Sequence, residues 1–171
     1  LKVGLVGMIE TRIKNNKVEG IVSKMFGGWE HFSNHNAHYN GRILIVWRPE
    51  YYKIRVVYES AQAVTCEVFY VPIQKEFITT FVYAHNSREE RRELWEYINR
   101  GIGKKPWLVL GDFNSILHME DRIGGNKVTI NEVKEFQECI DKVGLTEFPN
   151  NGCRHTWNDK HDGGRIFSKI D

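Results

Sequence analysis

Apolar and polar positions alternate with two different periods along the chain, and their changes of period mark the elements. Val3–Ile9 is an apolar run that stops at Glu10, the pattern of a buried strand. Lys14–Met25 then places Val18, Ile21, Val22 and Met25 on one helical face, with Asn15 or Asn16 as cap and Gly27-Gly28 as stop. Trp29–Ser33, Arg42–Trp47, Tyr52–Glu59, Ala63–Val71 and Glu76–Ala84 are rich in Val, Ile, Tyr, Phe and Thr and predict five strands. Asn40-Gly41, Arg48-Pro49 and Pro72 separate them. Strands so closely spaced are most simply an antiparallel meander.

Ser87–Arg100 predicts a second helix, with Ser87 and Glu90 as a capping box and Leu94, Trp95 and Ile98 as its apolar face. A third begins at Thr129, capped by Thr129 and Glu132. Val133, Phe136, Ile140 and Val143 form its stripe, and Gly144 ends it. Leu145–Asp171 is loop-rich, with short strands expected at His155–Trp157 and Ile166–Asp171. No repeat, linker or low-complexity segment interrupts the chain, so a single α/β domain over residues 1–171 is expected.

Between the second and third helices stands Pro106–Ser115, PWLVLGDFNS. Trp107–Leu110 predicts a strand buried on both faces, and Gly111 hands over to Asp112, Phe113 and Asn114. In extended geometry Asp112 and Asn114 point to one side and Phe113 to the other. Gly-Asp and Asn-Ser are also ordinary turn residues, so a plain turn is the rival interpretation. Two other strands end in the same way, at Glu10 and at Tyr83 running on to Asn86. If the three ends converge, two carboxylates, two carboxamides and a phenol meet, an oxygen-rich set suited to Mg²⁺ beside a phosphate.

Composition changes this picture little. With 171 residues and a net charge of +2, the chain can build a real core, and any polyanion must be met by local basic clusters. Cys66, Cys139 and Cys153 lie far apart with no zinc spacing, which favours a reducing compartment, nuclear or cytoplasmic, over secretion. No apolar run is long enough to span a bilayer. Arg88, Arg91 and Arg92, with Lys104 and Lys105, read as solvated charge or as a nucleic-acid track. His118 reads as surface, and Trp29, Trp47 and Trp95 as core.

Taken in order, Glu10-Thr-Arg12, Tyr83-Ala-His-Asn86, Arg91 with Leu94-Trp95, Gly111-Asp-Phe-Asn114, Asp121-Arg122, His155-Thr-Trp157 and Ser168-Lys-Ile-Asp171 resemble the exonuclease–endonuclease–phosphatase superfamily. More narrowly, they resemble the apurinic-endonuclease-like domain of plant LINE-type, non-LTR retrotransposons. The resemblance implies a DNase I-like α/β (α+β) sandwich of mainly antiparallel strand layers flanked by helices, incomplete at both termini. It implies Mg²⁺-dependent nicking of DNA by in-line hydrolysis, with Mn²⁺ as the alternative ion. Glu10 would hold the metal and Asp112 would orient and deprotonate the attacking water. Asn114 would hold nucleophile or phosphate, Tyr83 and Asn86 would contact the scissile phosphate, and Asp171 would orient a catalytic histidine. Arg12, Trp157, Lys160, Arg165 and Lys169 would lie along the DNA.

The family's preceding-strand asparagine and its C-terminal Ser-Asp-His have no counterpart here. The expectation is therefore a poor nuclease on its own, with uncovered strand edges prone to self-association and a reverse transcriptase domain as partner in a longer polyprotein. A catalytically dead nucleic-acid-binding fragment and a phosphatase on the same scaffold are the rival functions.

Overall fold

The computed structural model describes residues 3–149 and 152–171, which fall into two compact units. One is built from the residues up to Tyr83 with Ile102–Gly111, the other from Ala84–Gly101 with the residues from Asp112 onward. Each unit takes two separate stretches of chain.

In the first unit, strands β1 (Leu5–Ile9), β2 (Glu30–Ser33) and β3 (Ile43–Trp47) form an antiparallel sheet in the order β1-β3-β2. Strands β4 (Tyr52–Glu59), β5 (Ala63–Tyr70), β6 (Lys75–Tyr83) and β7 (Trp107–Asp112) form a second sheet in that order. The expected meander is real over β4-β5-β6, which pair antiparallel with a register shift between Val56 and Tyr58. β7 breaks it. Ile78 N–H bonds Pro106 O and Ala84 N–H bonds Asp112 O, each at 2.8 Å and with the same offset, so β7 runs parallel to β6.

β3 is the buried centre of this unit. Ile43, Ile45 and Trp47 pack on Val64, Cys66, Val68, Phe81 and Tyr83 of the second sheet. Leu44 and Val46 face the other way, onto Val18 and Val22 of helix α1 (Asn15–Met25). Covered on both sides, ILIVW can be apolar throughout; each such side chain contributes about 1.5–3 kcal/mol on full burial. The α1 stripe is shorter than predicted, because Met25 is exposed and Phe26 packs in its place. Lys14 takes the N-cap position, with no side-chain cap bond, where Asn15 or Asn16 was expected.

β7 corrects a sequence expectation. It is an edge strand, with Leu108 43% and Leu110 37% exposed. Trp107 Nε1–H donates to Thr80 Oγ1 at 2.9 Å, which sets Trp107 on the Thr80 side of the sheet. Leu108 and Leu110 therefore share the side of Phe81, but they lie outside the cluster that β3 covers.

In the second unit, helices α2 (Arg88–Asn99) and α3 (Ile130–Val143) meet through aromatic side chains. Trp95 and Phe136 stack at 4.7 Å, and Phe113 and Phe136 at 4.9 Å. The box predicted at Thr129 is complete, and half of the one predicted at Ser87 is formed. Ser87 Oγ accepts from Glu90 N–H, and Thr129 with Glu132 closes a capping box. Gly144 terminates α3 in the left-handed region, at φ 70°. Cys139, not Ile140, completes the buried stripe of α3. Short strands β8 (Arg122–Ile123), β9 (Trp157–Asn158) and β10 (Phe167–Ser168) pair in the order β8-β10-β9. The sequence pattern predicts no strand at β8. Among the described residues no helix is long and apolar enough to cross a membrane.

Candidate functional site

Gly111 sits at φ 136°, and a Cβ there would fall 2.0 Å from Val82 O. Only glycine lets β7 approach β6 so closely before the chain turns into Asp112. From there the second unit gathers three predicted segments. Ala84 N–H reaches Asp112 O, Asn114 Nδ2–H donates to Ala84 O at 2.7 Å, and Phe113 N–H reaches Ile170 O at 2.8 Å. Residues 84–86, 112–114 and 170–171 are thereby neighbours.

The geometry at Asp112 and Asn114 differs from the extended one expected. Asn114 is left-handed at φ 46°, and its backbone N–H donates to Asp112 Oδ1 at 2.8 Å. Asparagine tolerates this conformation better than most residues because its short amide can bond locally. Phe113 does turn into the core, stacked on Phe136. Asn86 is exposed at the head of α2, and Asp171 Oδ1 accepts the hydroxyl of Thr156.

Arg91 corrects a second expectation: it is buried rather than solvated, with 8% of its surface exposed. Its Nη1 donates to His85 O at 3.0 Å and Asn86 O at 2.7 Å. Burial pushes the guanidinium pKa below its ordinary range, while Glu135 and Asp112 act to hold it up. Neighbouring Arg88 and Arg92 both pair with Glu135, at 3.0 and 3.2 Å, and hold that carboxyl below the usual glutamate range.

Of the expected nucleic-acid contacts in this unit, Trp157 is exposed and stands opposite Ser168 in the β9–β10 register. Lys160 is exposed. Lys169 pairs with Glu147, and Arg165 with Asp162 at 3.6 Å, so two of the four side chains already have acidic partners. His118 is not plain surface. Its backbone N–H donates to the buried carboxylate of Asp121, and its ring contacts Gln137.

In the first unit, Glu10 and Arg12 are both left-handed, at φ 54° and 48°, and Arg12 Nη2 meets Glu10 Oε1 at 2.5 Å. Thr11 between them donates its hydroxyl to Gly41 O at 2.6 Å and its N–H to Arg42 O. Arg42 in turn lies 5.0 Å from the centroid of the Tyr83 ring, which is itself buried. Nothing in the sequence pattern points to Tyr39, 83% exposed and stacked on His38 at 5.0 Å in the loop that Thr11 tethers. A solitary aromatic in a polar loop has no periodicity to reveal it.

Among the described residues no group of three or more His, Cys, Asp or Glu could cage a metal. The donor chemistry at Glu10 does suit Mg²⁺, which is held by one or two carboxylates and keeps waters for its other positions. Arg12 is paired with its Oε1.

No protein-family model matches the sequence, and no curated protein matches it either. Solved structures do. The endonuclease domain of TRAS1, a telomere-specific non-LTR retrotransposon, aligns over 99% of this chain and 83% of its own, with TM-score 0.66 and 14% identity. D. rerio TDP2 complexed with single strand DNA product aligns over 98% of this chain and 71% of its own, with TM-score 0.56 and 13% identity. The fold is DNase I-like, an α/β arrangement of mostly antiparallel strands with three α-helices among the described residues, as the sequence motifs imply.

Proposed function

We propose that this chain is a divalent-metal-dependent phosphodiester hydrolase that nicks DNA. What carries the proposal is the meeting of residues 84–86, 112–114 and 170–171 in one unit, since these segments hold the nuclease-like motifs of the sequence. Solved structures of the same fold include an endonuclease domain and a protein complexed with single strand DNA product, which supports a nucleic-acid substrate.

Asp112 is assigned the attacking water. Asn114 N–H fixes Oδ1, and the carboxylate would orient the water and take its proton. The water oxygen bonds to phosphorus as the P–O bond to the leaving sugar oxygen breaks, and that oxygen takes a proton from solvent water. Asn86 and Asn114 present amide groups to the phosphate, Tyr83 serves it through its phenol, and Asp171 aligns a proton donor. Glu10 would hold Mg²⁺ or Mn²⁺, which would offset charge on the phosphoryl oxygens. Trp157, Lys160, Arg165, Lys169 and Arg12 line the nucleic acid, and Tyr39 adds a stacking surface.

Nicking of supercoiled plasmid tests this. Cleavage with Mg²⁺, lost on chelation and reduced at least about 100-fold in Asp112→Asn and in Glu10→Gln, is expected. Equal cleavage by Asp112→Asn would overturn the assignment. The pairing of Glu10 with Arg12 favours a second function, DNA binding without chemistry. Metal-independent plasmid retention with no nicking at any metal concentration would establish it.

A further inference from the structure

Three consecutive carbonyl oxygens ahead of α2 are each held by a side chain: Ala84 O by Asn114, and His85 O and Asn86 O by Arg91. Loop carbonyls beside a helix N-terminus ordinarily turn to water, because the helix itself offers them nothing. Here one guanidinium, buried at the fourth residue of α2, takes two of them. Its Nε is also buried and has no hydrogen-bond partner among the described residues. A buried cation with an idle donor is a costly way to stabilise a helix, and a methionine or leucine of similar volume would serve packing at least as well. What only the arginine provides is a nitrogen, Nη1, whose two N–H bonds lie in one rigid plane and each hold one of two adjacent carbonyls.

We propose that Arg91 is the positioning residue of the site: its guanidinium locks the His85–Asn86 peptides so that the Asn86 carboxamide is presented in one orientation. The role rests on the function proposed above only in so far as Asn86 meets substrate; the lock itself is independent of it. Arg91 works with Asn114, which fixes the preceding carbonyl and is itself fixed to Asp112. The loop and the carboxylate therefore share one frame. Lysine cannot reproduce this hold, since the two N–H bonds of Nη1 are fixed in the guanidinium plane whereas an ammonium turns freely on its stem.

Two measurements on the full chain test this. In Arg91→Lys and Arg91→Ala, amide exchange over residues 84–88 is expected to accelerate at least about tenfold while that of α3 is unchanged. In plasmid nicking with Mg²⁺, kcat is expected to fall about 10–100-fold with KM within about threefold. Added guanidinium should restore part of the loss in Arg91→Ala and none in Arg91→Lys. Unchanged exchange in a folded variant, or full turnover by Arg91→Lys, would overturn the proposal. If the parent chain nicks nothing, the nuclease function falls and exchange alone decides the lock. If Arg91→Ala does not fold, exchange and turnover of Arg91→Lys decide it.

Discussion

Asn114 donates its carboxamide to Ala84 O at 2.7 Å while its own backbone N–H is held by Asp112. One residue thus joins the end of β7 to the loop that leads into α2, and it does so from a left-handed conformation.

Replacing it separates the two contributions. Asn114→Ala loses the donor to a buried carbonyl and keeps a left-handed backbone, and is expected to cost about 2–4 kcal/mol. Asn114→Gly loses the same bond but relieves the backbone, so its urea midpoint should lie above that of the alanine variant. Equal midpoints would mean that the positive φ carries no cost.

Gly111→Ala is expected to destabilise the chain by more than about 2 kcal/mol. The added Cβ meets a backbone oxygen, Val82 O, which cannot swing aside as a side chain would. Thermal and urea unfolding measure this directly, and a loss within about 0.5 kcal/mol would contradict the close β6–β7 approach.

Much of the fold is legible in the sequence where local pattern and tertiary context agree. Tyr52–Glu59 is predicted to the residue because its alternation is that of a half-covered strand, and the caps at Ser87 and Thr129 depend only on residues three apart. Ile43–Trp47 and Trp107–Leu110 look alike in sequence, yet one is buried on both faces and the other lies at an edge. Periodicity reports that a run is apolar, not which layers arrive to cover it. The candidate site follows the same division. Asp112, Asn86 and Asn114 stand out as strand-end polar groups, whereas the burial of Arg91 depends on how the preceding loop folds back over α2.

The Arg88–Glu135–Arg92 cluster predicts a pH dependence. The Glu135 pKa is lowered in the folded chain, so its stabilisation is fully present above the ordinary glutamate range and is lost as pH falls through the lowered value. Glu135→Gln should be less stable than the parent at neutral pH, and the gap should close in strong acid. The gap should also shrink with salt, since the partner arginines are partly exposed.

Thiol titration should distinguish the cysteines. Burial pushes the Cys66 thiol up to about 12 and the Cys139 thiol up to about 11, whereas Cys153 is exposed. One thiol is expected to react rapidly with a disulfide reagent in the native chain and all three after denaturation. Cys153→Ser should abolish the fast phase.

The outer margin of β7 has a practical consequence. A strand that offers unpaired peptide groups alongside Leu108 and Leu110 invites any extended segment of similar polarity, another copy of the chain included. Handling will therefore depend on concentration, with turbidity or light scattering rising as the sample is concentrated. Lysine at both leucine positions should move that onset upward while leaving the interior behind β3 undisturbed.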